Sequence, residues 1–132
     1  MGQPAAKQGD RVVGTDSHVV LVPGTPAPVP TALPHSFTGV INGGLSQDVK
    51  IMGRPAAVAG STADNVPAHA PIAPGTAFQR PPGNTATIQR GSATVMINNR
   101  PAARSGDPAL TCNDPVDLPA GTVVATGSVM IG

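Results

Sequence analysis

The sequence predicts an all-β domain: a compact pseudo-threefold ring of three β-hairpin repeats, the third completed by the two chain termini. Three observations predict it. A short apolar run followed by Pro-Ala-Ala occurs twice inside the chain and a third time when its ends are joined. With 16 glycines and 16 prolines in 132 residues, no stretch longer than 20 residues lacks proline and glycines interrupt the long ones, which argues against helices of ordinary length. In each copy, β-branched or alternating residues lie beside glycine-containing turns, the pattern of short strands.

The chain opens on MGQPAAKQGD, the second half of a repeat whose first half, GSVMIG, closes it at 127–132. The second copy is GLSQDVKIMGRPAAVAGS at 44–61, and the third is GSATVMINNRPAARSGD at 91–107. Aligned on proline, the cores run Val129-Met130-Ile131-Gly132-Gly2-Gln3-Pro4, Val49 to Pro55, and Val95 to Pro101, each followed by Ala-Ala. A turn precedes each, at Asn42-Gly43, Arg90-Gly91 or Thr126-Gly127. Before that turn lies a short strand: Gly39 to Ile41, Thr85 to Gln89, or Thr122 to Ala125. Each unit therefore reads as a hairpin ending in a Pro-Ala-Ala corner, where small side chains let backbones crowd near an axis. The proline-rich segments 22–34 and 66–82 read as extended or polyproline-like wraps, since proline lacks a ladder N–H. Three units can also form an open stack. The copy split between the ends favours a closed ring, with Gly2 beside Gly132 and residues 1–132 as a single domain.

Such a domain has little apolar bulk. Phe37 and Phe78 are its only aromatic residues, apart from the histidines, and small domains with thin cores need a disulfide, a metal or a partner. Cys112 is the only cysteine, which rules out an internal disulfide. A net charge of +1, with no basic run and no aromatic platform for bases, argues against nucleic acid as a partner. No secretory signal is visible at the N-terminus, and Ala6 breaks the myristoylation pattern that Gly2 begins. The longest apolar run, Val19 to Pro23, is too short to span a bilayer. The expectation is a chain made in the cytoplasm and carried outward by something else.

The soft and borderline metal ligands number four: His18, His35, His69 and Cys112. His18 stands 14 residues after Pro4, His69 stands 14 after Pro55, and Cys112 stands 11 after Pro101, so threefold packing carries these three toward one point on the axis. His35, in the long first connection, has no repeat register. Three imidazoles and a thiolate satisfy tetrahedral zinc with no position left over, which makes the predicted ion a single structural Zn2+. Asp16 and Asp114 stand near enough in sequence to accept hydrogen bonds from ligand N–H groups. The competing reading scatters the histidines over loops and leaves Cys112 as a small buried hydrophobe. No catalytic residues are assigned: the chain has no Glu to serve as general base, and Asp16-Ser17-His18 reads as a turn rather than a nucleophile beside its base. The glycines are scattered among hairpins and form no phosphate loop.

With Pro-Ala-Ala-Arg at 101–104, Pro-Ala-Ala at 4 and 55, and the His/His/His/Cys set, the whole chain resembles PAAR-repeat proteins. The segments Pro34-His35-Ser36-Phe37, Gly60-Ser61-Thr62-Ala63 and Thr111-Cys112-Asn113-Asp114-Pro115 resemble the longer PAAR-like subgroup. The copies at 4 and 55 depart from the motif in having Lys7 and Val58 in place of arginine, and the second copy has Ser61 where the others have Asp. The resemblance implies a non-enzymatic spike tip of a contractile injection system: a type VI secretion system, a phage-like tail or an extracellular injection particle. It implies that the all-β, compact pseudo-threefold unit is a sharp cone with zinc near its vertex on His18, His35, His69 and Cys112, and with its base seated on a trimeric β-helical spike, one copy per trimer. It also implies transient contact with a target membrane. Longer relatives carry effector domains at their ends, and here both ends are expected to be used up by the split repeat. The rival reading is an adaptor that carries effector cargo to the spike; others are a zinc hydrolase and a disordered proline/glycine-rich segment. Val129 and Ile131 are the expected docking-face positions.

Overall fold

The structure, a computed structural model, describes residues 2–132, and these contain no helix. The first strands are β1 (Gln3–Pro4), β2 (Arg11–Val22), β3 (Val29–Gly43), β4 (Lys50–Ile51), β5 (Arg54–Pro55), β6 (Thr62–Asn65) and β7 (Ala77–Phe78). There follow β8 (Thr85–Ile88), β9 (Met96–Ile97), β10 (Arg100–Pro101), β11 (Pro108–Thr111), β12 (Leu118–Val124) and β13 (Met130–Ile131).

Three two-residue ribbons repeat one register. Lys50 lies opposite Pro55 in β4–β5, Met96 opposite Pro101 in β9–β10, and Met130 opposite Pro4 in β13–β1. The last ribbon is made from both ends of the chain. A Cβ added to Gly2 would stand 3.2 Å from the Ile131 amide nitrogen, so the expected closure is present. In the two continuous ribbons the turn residues have φ of 51° and 82° (Met52, Gly53) and 51° and 63° (Asn98, Asn99), the double positive φ of a type I′ turn. The sequence expectation had placed the hairpin turn earlier, at the preceding glycine. The strand before that glycine instead joins the larger sheet: Gly39 faces Asn65 and Ile41 faces Ala63.

After each ribbon the three corners interlock. The Ala6 amide donates to the Ala103 carbonyl at 2.9 Å, Ala103 to Ala57 at 3.0 Å, and Ala57 to Ala6 at 3.0 Å. This closed ring of backbone bonds runs around three alanines with no exposed surface. The corners then turn through Gly9, Gly60 and Gly106 at φ of 92°, 97° and 94°, where a side chain is strained. The next residue folds back on the corner. Asp10 accepts from the Lys7 amide, Asp107 from the Arg104 amide, and Ser61 Oγ from the Val58 amide. The departure at Ser61 therefore preserves the bond and the symmetry.

Beyond the corners, β12-β11-β8-β6-β3-β2 form an antiparallel sheet that closes by pairing β12 with β2, and β7 adds to β2. The barrel tapers because its strands differ in length. β6, β8 and β11 are four residues each, whereas β2 and β3 stay paired as far as Val22 opposite Val29. Most of segment 22–34, expected as a wrap, is thus strand. Pro30 and Pro34 fit there because β6 pairs only with Gly39–Gly43, so β3 is open on that side. Segment 66–82 contributes only β7 to the sheet.

Side chains fill the barrel in layers. Ile51, Ile97 and Ile131 pack with Ala5, Ala56 and Ala102 at the ribbon end. Next come the ring alanines with Val12, Ala63, Ala109, Ile41, Ile88, Val123 and Phe37. Of the expected docking positions, Val129 is 40% exposed, but Ile131 is 6% exposed and belongs to the core; its neighbour Met130 faces out in its place. The alternation of the strand decides which of the two adjacent residues turns inward.

Candidate metal centre

Strand β2 sets the character of the next layer. Its inward positions run Val12, Asp16, His18 and Val20, all buried, so two polar side chains enter an otherwise apolar row. The Asp16-Ser17-His18 segment, expected as a turn, is mid-strand, and its period of two turns Asp16 and His18 to one face. His35 lies on β3 directly opposite Asp16. His69 follows β6, with its amide held by Asn84 Oδ1 at 2.8 Å, and Cys112 follows the last residue of β11. Four segments far apart in sequence thus converge where the barrel narrows.

Asp16, His18, His69 and Cys112 bring one potential ligand atom each within 4.8 Å of the others. Asp16 Oδ2 lies 2.9 Å from His69 Nε2, 3.4 Å from Cys112 Sγ and 3.9 Å from His18 Nε2, and His18 Nε2 is 3.7 Å from Cys112 Sγ. Zinc bonds of about 2.0–2.3 Å place tetrahedral ligand atoms roughly 3.3–3.8 Å apart, the range these separations straddle. His35 stands beside this group. Its ring centroid is 5.5 Å from that of His18 and 5.6 Å from that of His69, and its Nδ1 lies 2.9 Å from the Leu33 carbonyl. With Nδ1–H donating there, Nε2 carries the lone pair.

Among the described residues, three buried side-chain atoms have no hydrogen-bond partner: Asp16 Oδ1, His18 Nδ1 and His35 Nε2. Orphaned polar atoms are costly in a small core; Asp16 Oδ1 and His35 Nε2, on residues that face each other across β2 and β3 beside a thiol, fit a bound cation, whereas His18 Nδ1 faces Asp114. Nitrogen, sulfur and carboxylate oxygen are also the donors zinc takes. Burial pushes the Cys112 thiol up to about 11, with the Asp16 carboxylate adding to the effect. Burial, then the neighbouring His69, lowers His18, which keeps its imidazole neutral and its lone pair free. A divalent cation supplies the positive charge that a buried thiolate and carboxylate need.

The sequence places Asp16 outside the ligand group, but the structure puts it among the potential ligand atoms. The signal was its spacing of two from His18, which shares a strand face but not a turn.

The PAAR motif matches residues 31–117, about two thirds of the chain. The chain belongs to the PAAR motif family. No curated protein matches it. The all-β barrel with its closed threefold ring agrees with a PAAR cone, and the buried Asp/His/His/Cys cluster agrees with a PAAR metal site. The PAAR family is structural, and membership points to a spike-tip protein of a contractile injection system that associates with a spike.

Proposed function

We propose that this chain caps and sharpens the trimeric β-helical spike of a contractile injection system, with one copy per trimer, and takes part in piercing target membranes. The observation that carries the reading is the ring of Ala6, Ala57 and Ala103 with its three equivalent ribbons. One chain offers three matching edges at its wide end, as a threefold support requires. Met96 and Met130 occupy equivalent exposed positions on two ribbons, with Lys50 on the third. At the other end, His18, His69, Cys112 and Asp16, with His35 beside them, hold one structural Zn2+ where the tapering barrel has no room for an apolar core. This zinc does no chemistry on a substrate: it ties four segments together under load. Made in the cytoplasm, the chain leaves the cell on the particle it caps.

Native mass spectrometry of the chain mixed with a trimeric spike protein tests the docking. One chain on three spike subunits is the expected mass, and a three-to-three assembly contradicts it. Retention of the complex after Met96→Asp together with Met130→Asp places the contact elsewhere and favours the adaptor reading.

A further inference from the structure

The outer side of the metal centre is stitched in a way that the ligands themselves do not require. Residues 113 and 114, just after Cys112, are tied to β2 on both sides of His18. Asn113 Oδ1 accepts from the Ser17 amide at 2.7 Å, the Asp114 amide donates to the Ser17 carbonyl at 2.8 Å, and Asp114 Oδ2 accepts from the Val19 amide at 2.9 Å. The same Oδ2 stands 3.5 Å from His18 Nδ1, the buried ring nitrogen that has no hydrogen-bond partner. His18 Nε2 points the other way, toward Cys112 Sγ.

A third segment closes over this. Arg80 Nε and Nη2 donate to Asp114 Oδ1 at 3.1 and 2.6 Å, and Nη2 also reaches the Asn113 carbonyl at 3.1 Å. Arg80 is held in turn by its neighbour, since the Gln79 amide donates to the Val19 carbonyl at 2.9 Å. The guanidinium is more than half exposed, so as a bare ion pair it would contribute little. Its geometry is the point: a planar fork occupies one carboxylate oxygen and the adjacent carbonyl, and leaves the other oxygen for β2 and His18. Histidines that bind metal through one ring nitrogen commonly present the other N–H to a carboxylate, which fixes both tautomer and ring orientation.

We propose that Arg80 and Asp114 form a positioning pair for the metal centre: Arg80 orients the Asp114 carboxylate so that it holds His18 as the Nδ1–H tautomer, with Nε2 directed at the ion. This rests on the metal reading above. Neither residue touches the ion, and their action is through His18 and through the strap that keeps Cys112 beside β2.

Zinc affinity measured by chelator competition on the full chain, with long-range 15N–1H spectra of the zinc-loaded protein, tests it. Asp114→Asn is expected to weaken zinc binding about 10–100-fold, and Arg80→Gln about tenfold, with Arg80→Lys recovering only part because it lacks the fork. His18 should read as the Nδ1–H tautomer in the zinc-loaded wild type and lose that uniformity in Asp114→Asn. Arg80 is a surface residue, so Arg80→Gln keeps the test open if Asp114→Asn fails to fold. Wild-type affinity in Arg80→Gln, or an Nε2–H tautomer of His18 in the wild type, overturns the proposal while leaving the metal site standing. A wild-type chain that takes up no zinc overturns both.

Discussion

The two ends of this barrel are held together by opposite means. At the wide end, three copies of one corner repeat the same backbone bonds, the same positive-φ glycine and the same buried alanine. At the narrow end only a spacing is kept, His18 and His69 each standing 14 residues after a corner proline: a β2 aspartate and histidine, a β3 histidine, a loop histidine and a post-strand cysteine meet from different segments. The wide end is stable because small residues let three chain segments approach closely and satisfy each other's amides. The narrow end cannot do this. Once β6, β8 and β11 stop, the enclosed apolar side chains dwindle to Val20, with Phe78 against His18 and His35, and the layer beneath them is polar. On the proposed function, symmetry suits the part that would meet a threefold partner, and an asymmetric cluster of donors suits the part that would hold an ion.

Removing the ion is the largest way to break this contrast. Structural zinc contributes on the order of 10 kcal/mol or more to folding in small domains. Chelation, or His69→Ala with Cys112→Ala, is expected to abolish the cooperative thermal transition seen by circular dichroism. An unchanged melting temperature in the double variant, with and without chelator, would show that the wide end carries the fold alone.

Crowding the ring is the intermediate case. Ala57 has no exposed surface and both accepts and donates a ring bond, so Ala57→Leu forces the three corners apart. The expected loss is about 1–3 kcal/mol by denaturant titration, the ordinary cost of overpacking. Zinc content should stay at one per chain, because the donors lie a layer away. Loss of zinc in that variant would mean that the two ends are mechanically coupled.

The smallest effect sharpens the symmetry itself. Ser61 accepts from Val58 as Asp10 and Asp107 accept from Lys7 and Arg104. Ser61→Ala should cost about 1 kcal/mol for a lost hydrogen bond. Ser61→Asp restores the residue of the other two corners but also crowds a site where Ser61 Oγ donates to the Gly44 carbonyl, an oxygen that a carboxylate repels. Its melting temperature should therefore fall below wild type, and a rise would show the three corners to be interchangeable.

Much of the fold was legible in the chain because its causes are local and repeated. Proline and glycine spacing argued against helices, the Pro-Ala-Ala cores marked the corners, and the split between GSVMIG and GQPAA announced that the ends meet. The turn positions were misread because Met52 and the two asparagines Asn98 and Asn99 adopt left-handed backbone that glycine takes more readily, so the neighbouring glycines drew the assignment. His18, His69 and Cys112 were legible as one group through their distance from the corners, and His35 was brought beside them by strand pairing.

What the sequence determined by itself was the repeat, its closure and the residue types able to hold a metal, since each is set by local stereochemistry and by which side chains exist. Only the tertiary structure decided that Asp16 stands among the donors, that Arg80 and Asp114 meet over His18, and that Ile131 turns inward while Met130 faces out. Those outcomes depend on strand register and on where the shorter strands stop, and register is settled by pairing between segments that no local pattern connects.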